Sequence, residues 1–130
     1  MSDGASRGNP GPAGAGAVLR DERGQIAREV CQYLGYATNN QAEYTALILA
    51  LEAALGLGAD AVDVALDSEL LVRQLTGVYR VRDAQLMQYH ARARSLLARF
   101  GSAEIRHVPR EHNLLADMLA NRAIDKLAGT

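Results

Sequence analysis

The sequence predicts an α/β fold in which helices cover the faces of a mixed β-sheet. Two β-compatible segments joined by a tight turn come first, and strands then alternate with helices. The chain has 130 residues, which is enough to bury one hydrophobic core. A tight turn joins antiparallel strands, whereas a strand that follows a helical crossover usually runs parallel to its partner. We therefore expect a single domain with the element order ββαβααβα, preceded by a shortened first strand.

The antiparallel part is expected in the first half of the chain. Its expected elements are a strand at 13–20, a hairpin turn at 21–24 (DERG), a returning strand at 25–37 and a helix from Asn39 or Asn40 to Gly56 or Gly58. Gly35 interrupts the returning strand in the manner of a bulge. The helix is predicted because apolar residues recur at helical spacing between its ends.

Strands joined through helices are expected in the second half. The expected elements are a buried strand at 61–66, a short helix at 68–75, a connection at 78–83, a longer helix at 84–100, a strand at 103–108, and a final helix from His112 or Asn113 to 127. Gly77, Gly101 and Pro109 mark the ends of elements, since glycine and proline interrupt regular structure.

Composition excludes several classes of protein. No apolar segment is long enough to cross a membrane, and no cationic region followed by an apolar stretch suggests a secretion signal. The single cysteine, Cys31, excludes an internal disulfide, and we expect it to be buried in a cytoplasmic protein. The formal net charge is −1, so composition alone does not predict a nucleic-acid partner.

Four acidic residues are candidates for chemistry, although each has an ordinary structural alternative. Asp3 taken alone is a terminal surface acid. Glu43 has the spacing of a helix capping box, and Asp67, between a strand and a helix, is typical of an N-cap. Asp117 lies inside the last helix beside an apolar stripe, where a solvated flank is the alternative.

The predicted topology nevertheless favours a shared role for these acids. Asp67 ends a strand, Glu43 begins the helix leading into that strand, and a crossover would place the strand of Asp3 beside it. Ligand sites in such sheets gather at strand ends beside topological breaks. Clustered carboxylates repel each other unless cations neutralise them, and such hard oxygen ligands suit Mg²⁺ or Mn²⁺. Two ions about 4 Å apart can activate a water and stabilise the leaving oxygen of a phosphodiester.

Four segments, in order, resemble type 1 ribonuclease H in its compact bacterial and archaeal branch without a basic protrusion: DGASRGNPGPAG, TNNQAEYTAL, LDSELLVRQLTG and HVPREHNLLADMLAN. The resemblance extends over essentially the whole chain. It implies a ribonuclease H-like fold with a five-stranded mixed sheet in the order 3-2-1-4-5. It also implies endonucleolytic hydrolysis of the RNA strand of RNA–DNA hybrids, with two Mg²⁺ or Mn²⁺ ions held by Asp3, Glu43, Asp67 and Asp117.

The resemblance also implies how the hybrid is bound. Asn9 and the backbone around Gly8 are expected to contact the minor groove of the RNA, whose 2′-hydroxyl distinguishes it from DNA. Thr38, Asn39 and Asn40 match a segment that meets the hybrid in relatives, mainly at the DNA strand and its phosphates. Helix initiation alone is the alternative for the two asparagines.

Many relatives carry a mobile histidine before the last acid, which is thought to assist product release. His107 and His112 are both candidates here, although His107 is expected on the last strand, where a mobile role is doubtful. In the branch with a VPRE motif the arginine takes this role, which indicates Arg110 as a further catalytic candidate.

Two departures from the family pattern affect these expectations. Only Met1 and Ser2 precede Asp3, so the first strand is expected to be truncated, with a loss of ladder hydrogen bonds. The compact segment VYRVRDAQ stands where some relatives have a lysine-rich handle, so we expect weak hybrid binding that falls steeply with salt.

Two other functions stay open at this point. One is a non-catalytic nucleic-acid-binding module that keeps the fold, and the other is a different nuclease on the same fold. A pure binding module gains nothing from four clustered carboxylates, and the GNPGPAG turn favours hybrids over other substrates. We expect a monomeric, cytoplasmic enzyme with no membrane partner and no separate hybrid-binding domain.

Overall fold

The computed structural model describes residues 1–128. The strands are β1 (Ser2–Ser6), β2 (Gly11–Arg20), β3 (Ile26–Ala37), β4 (Ala61–Leu66) and β5 (Ser102–His107). The helices are α1 (Asn39–Gly56), α2 (Glu69–Leu75), α3 (Ala84–Leu97) and α4 (Leu114–Ala128), with a short 3-10 helix at Arg110–His112. The element order agrees with the prediction, and β1 has one residue ahead of Asp3.

The five strands form two adjoining sheets. β1, β2 and β3 are antiparallel, in the order β1-β2-β3, and β4 pairs with β5 in parallel. β1 contacts β4, but among residues 1–128 no backbone ladder joins these two strands, where the sequence predicted a single sheet. The physical reason is a cavity of about 1030 Å³, lined by Met1, Ser2 and residues 61–65, which separates the start of β1 from β4.

Small residues in β2 allow helices to pack closely on both faces of the antiparallel sheet. Ala13 is fully buried against Ala42 of α1. On the opposite face, a Cβ atom at Gly16 would lie 2.2 Å from the Ala116 carbonyl oxygen of α4. A side chain there would therefore push α4 away from the sheet.

The larger part of the core lies between α1, α2, α3 and β4. Its fully buried large side chains include Tyr44, Leu47, Leu66, Leu71 and Leu96. The Tyr44 hydroxyl donates to Gln74 Oε1 at 2.6 Å, which satisfies a polar group inside this core. The core thus fixes the carboxyl end of β4 against the first turns of α1.

Three details differ from the sequence predictions. α3 ends at Leu97, earlier than expected, and its C-cap is Ala98. The 3-10 helix occupies residues 110–112, so α4 begins at Leu114 and not at His112 or Asn113. Cys31 is exposed, because β3 is an outer strand of its sheet; the thiol donates to the Leu119 carbonyl oxygen at 3.1 Å.

Within residues 1–128, no helix has the length and apolar character needed to cross a membrane.

Candidate metal centre

Asp3 lies in β1 and is held against the start of α1 by the residue that follows it. A Cβ atom at Gly4 would stand 2.1 Å from the Ala42 carbonyl carbon and 2.2 Å from the Glu43 nitrogen. Only glycine permits this approach. The absence of a side chain at residue 4 therefore brings β1 and α1 together beside Asp3, which is 4% exposed.

Glu43 lies in the first turns of α1 but does not cap the helix. Thr38 is the N-cap, and it forms a capping box with Gln41, whose N–H donates to Thr38 Oγ1 at 3.2 Å. The Gly4 N–H instead donates to the Glu43 carboxylate. The capping-box alternative for Glu43 is therefore wrong, and its side chain is turned towards β1.

Asp67 directly follows β4, and it does not cap the next helix either. Ser68 is the N-cap of α2, and its hydroxyl accepts a hydrogen bond from the Leu71 N–H at 3.3 Å. The N-cap alternative for Asp67 is therefore also wrong. The Asp67 carboxylate stays available at the end of the strand.

The structure brings three of the four candidate acids into one cluster. Each of Asp3, Glu43 and Asp67 offers a carboxylate oxygen, and these oxygens all lie within 4.8 Å of one another. Asp117 of α4 adjoins the cluster, because its carboxylate is hydrogen-bonded with Asp3. The four acids thus meet from β1, α1, the end of β4 and α4.

Burial and mutual repulsion raise the pKa values of Asp3 and Glu43 within this cluster. Burial, followed by the Glu43 charge and a hydrogen bond with Asp117, raises the pKa of Asp3 to about 10. Burial also raises the pKa of Glu43 to about 7, although a hydrogen bond with Asp3 opposes this shift. Without a cation, the cluster therefore retains protons that bind between its carboxylates.

The donor set fits a hard divalent cation. All the converging atoms are carboxylate oxygens, which Mg²⁺ and Mn²⁺ prefer. Glu43 Oε2 is buried and has no hydrogen-bond partner within the described part of the chain. A buried carboxylate oxygen without a partner is costly, and a bound cation would satisfy it.

The residues predicted to bind substrate lie on the two segments flanking this cluster. Gly8 and Asn9 are exposed in the turn between β1 and β2, and Asn9 Oδ1 accepts a hydrogen bond from the Asn39 N–H at 3.0 Å. Asn39 and Asn40 begin α1, and Thr38 caps it. The turn and the helix start therefore form one connected surface, in which helix initiation is performed by Thr38 and not by the asparagines.

The candidates for product release lie at the edge of the cluster. Arg110 is 77% exposed, and its Nη2 atom stands 3.8 Å from Asp117 Oδ1. His107 is the last residue of β5, and its Nε2 atom is 3.2 Å from the Asp67 carbonyl oxygen. His112 ends the 3-10 helix and is exposed. Arg110 is thus the candidate whose guanidinium lies beside a carboxylate of the cluster, that of Asp117.

Sequence reasoning missed two residues that build the site. Gly4 carries a sequence signal, because a glycine directly after a candidate ligand is compatible with a close backbone approach. Asn113 was considered only as a possible helix start, yet it is 1% exposed and its Nδ2 atom donates to the Ser2 carbonyl oxygen at 2.9 Å. No local sequence signal indicates a contact across 111 positions.

Comparison with known proteins identifies a family model and curated relatives that match the sequence of this chain. A family model described as reverse transcriptase-like matches residues 1–123. The chain is 52% identical, over 123 residues and 95% of its length, to ribonuclease HI of Halobacterium salinarum. It spans 62% of the length of that relative and 35% of the length of the next curated relatives.

Solved structures resemble the chain over nearly their whole length. The crystal structure of RNase H1 from Halobacterium salinarum NRC-1 has a TM-score of 0.94 and 51% identity, and the match covers 96% of this chain and 95% of that one. The crystal structure of LC11-RNase H1 in complex with an RNA/DNA hybrid has a TM-score of 0.91 and 44% identity, with 98% and 96% covered.

Proposed function

The chain belongs to the type 1 ribonuclease H family, within the reverse transcriptase-like group, and from this membership we propose that it hydrolyses the RNA strand of RNA–DNA hybrids endonucleolytically. The observation that carries the proposal is the convergence of three carboxylate oxygens within 4.8 Å of one another. They come from three separate parts of the fold. Glu43 and Asp67 are not used to cap the neighbouring helices, because Thr38 and Ser68 are the N-caps of α1 and α2.

Asp3, Glu43, Asp67 and Asp117 are the proposed ligands of two divalent ions, Mg²⁺ or Mn²⁺. When bound, such ions supply an activated water and neutralise the charge that develops on the phosphodiester and its leaving 3′ oxygen. Asp3, Glu43 and Asp67 would hold the ions through their converging oxygens, and Asp117 would complete the set from α4. Asp3 is 4% exposed and Glu43 Oε2 is buried, and low exposure to water strengthens the attraction of carboxylates to cations.

The hybrid is proposed to lie across the surface formed by the β1–β2 turn and the start of α1. Asn9 keeps its amide nitrogen as a donor, because its oxygen already accepts from the Asn39 N–H. That donor and the backbone around Gly8 would contact the RNA 2′-hydroxyls. Thr38, Asn39 and Asn40 would contact the DNA strand and its phosphates at the positive end of the α1 dipole.

Arg110 is proposed to assist departure of the cleaved phosphate. Its guanidinium lies beside Asp117 and is largely exposed, so it can move between this carboxylate and a product phosphate without disturbing the core. His107 contacts a backbone carbonyl at the end of β5, which suits a fixed position better than a mobile one.

The test is cleavage of an RNA–DNA hybrid labelled on each strand, with Mg²⁺ or Mn²⁺ and with a chelator. The wild-type chain is compared with Asp67→Asn and with the exposed control Glu104→Gln. Metal-dependent cutting of the RNA strand that only Asp67→Asn abolishes supports the proposal. No cutting by a folded wild-type chain, with hybrid binding retained, would replace it with a non-catalytic binding module.

The same assay extends to duplex RNA, single-stranded RNA and branched DNA, since cutting of branched DNA alone would indicate a different nuclease. Hybrid affinity is expected to be weak and to fall steeply with salt, because phosphate neutralisation supplies most of it.

We further propose that the chain acts as a monomeric, cytoplasmic, single-domain enzyme over positions 1–130, of which 129 and 130 lie outside the described residues.

A further inference from the structure

Asn113 occupies the position directly before α4 but does not act as a helix cap. An asparagine at an N-cap ordinarily has extended backbone angles and uses its side-chain oxygen to accept an N–H from the first turn. Asn113 instead has φ −121° and ψ 23°. Its Oδ1 atom is buried and has no hydrogen-bond partner within residues 1–128.

The amide of Asn113 is used for a contact far away in the sequence. Its Nδ2 atom donates to the Ser2 carbonyl oxygen at 2.9 Å, across 111 positions. A carbonyl oxygen can only accept, so the nitrogen must face it and the orientation of the amide is defined. Both residues are buried, with Asn113 1% and Ser2 2% exposed, so water does not compete for this bond.

This bond joins the two backbone segments that carry Asp3 and Asp117. Ser2 directly precedes Asp3 in β1. The Asp117 N–H donates to the Asn113 carbonyl oxygen at 3.1 Å, which places Asp117 one helical turn after Asn113. A single side chain therefore links the segments that carry two acids from opposite ends of the described chain.

We propose that Asn113 is a positioning residue that holds Asp3 and Asp117 at the separation needed to bind a divalent cation. This inference rests on the proposed metal-dependent function. Without the Asn113 bond, the backbone beside Asp3 and the start of α4 lose a buried hydrogen bond that joins them, so the two carboxylates are less tightly constrained to converge on one cation. Loss of a hydrogen bond that orients metal ligands typically lowers metal affinity 10- to 100-fold.

The test is a calorimetric titration of the full chain with Mn²⁺ alone, without nucleic acid. Asn113→Ser and Asn113→Thr remove the amide and retain a side chain able to cap α4. Ser2→Ala removes a buried hydroxyl that has no partner in the described residues and keeps the carbonyl that accepts the bond. Phe100→Leu, in the core at the far end of α3, controls for loss of stability alone.

We expect Mn²⁺ affinity to fall about 10-fold or more in both Asn113 variants, with wild-type affinity in Ser2→Ala and Phe100→Leu. Unchanged affinity in the Asn113 variants would overturn the proposal, as would an equal loss in Phe100→Leu at the same melting temperature. Failure of both Asn113 variants to fold in Mn²⁺ would also overturn it, because Asn113 would then be required for the fold. A wild-type chain that binds no Mn²⁺ would instead contradict the proposed function.

Discussion

Replacing Asp3 by Asn should stabilise the protein when no cation is bound. Asp3 is 4% exposed and lies against Glu43 and Asp117, so its carboxyl stays protonated in the folded chain. The Asn side chain has nearly the same shape and carries an amide N–H₂ that can donate to the neighbouring carboxylates. The substitution removes the ionisable group while leaving the packing of β1 on α1 in place.

The magnitude follows from the pKa of Asp3 in the two states. It rises from 3.8 in the unfolded chain to about 10 in the folded chain. Each pH unit between these values is worth about 1.4 kcal/mol, so at pH 7 the free energy of unfolding is lowered by up to about 4 kcal/mol. Part of this is shared with Glu43, and we expect Asp3→Asn to gain about 2–4 kcal/mol, or on the order of 10 °C in melting temperature.

The gain should depend on pH in a defined direction. Between about pH 4 and pH 10 the folded chain binds the Asp3 proton and the unfolded chain does not, so wild-type stability falls as the pH rises. Asp3→Asn lacks this contribution. Its advantage should therefore be close to zero at pH 4 and should increase as the pH is raised to 7.

The assay is thermal and urea unfolding of both chains in chelator from pH 4 to pH 8, with Glu104→Gln as an exposed control expected within about 0.5 kcal/mol of wild type. Mn²⁺ at 100 times its dissociation constant should then stabilise the wild type by about 2.7 kcal/mol and the variant by less. An Asn variant no more stable than wild type at pH 7, or an advantage that does not shrink towards pH 4, would show that Asp3 does not carry this pKa shift.

Three further substitutions test other parts of the structure. Gly4→Ala should lower the free energy of unfolding by about 3 kcal/mol or more, because its Cβ would stand 2.1 Å from the Ala42 carbonyl carbon; a melting temperature unchanged in chelator would contradict this. Thr38→Ala should cost about 1 kcal/mol through loss of the α1 cap, with Thr38→Ser restoring stability in the same urea titration. Arg110→Ala should lower kcat roughly tenfold or less with little change in KM or melting temperature, since Arg110 is exposed beside Asp117; a loss confined to KM would assign Arg110 to substrate binding instead.

The fold could be predicted from the sequence because each element carries its own periodicity and end signals. The helix over Asn39–Gly56 and the strand over Ala61–Leu66 were located within two residues at each end. The junction between β1 and β4 could not be predicted, because it depends on how far two strands overlap in space. Strand overlap is a property of the assembled sheet and leaves no local pattern.

The convergence of the acids was predictable from topology, whereas the details that hold them were not. Thr38 with Gln41 and Asn40 with Glu43 have the same capping-box spacing, and the sequence alone does not distinguish them. The structure distinguishes them, because Thr38 forms the capping box with Gln41 while the Glu43 carboxylate is turned towards β1. The bond from Asn113 to the Ser2 carbonyl has no sequence signal for the same reason, since both partners are set by tertiary structure.

The position of α4 has a consequence for synthesis of the protein in the cell. This helix covers the face of β2 that carries Gly14 and Gly16, and it contributes Asp117 to the cluster. A nascent chain on the ribosome therefore lacks both one wall of its core and one acid until the last helix has emerged. Asp67 and Asp117 are 50 positions apart in the sequence, so at roughly 5–20 residues per second Asp117 is added several seconds after Asp67. The cluster can therefore assemble only after α4 has been synthesised and has packed on β2.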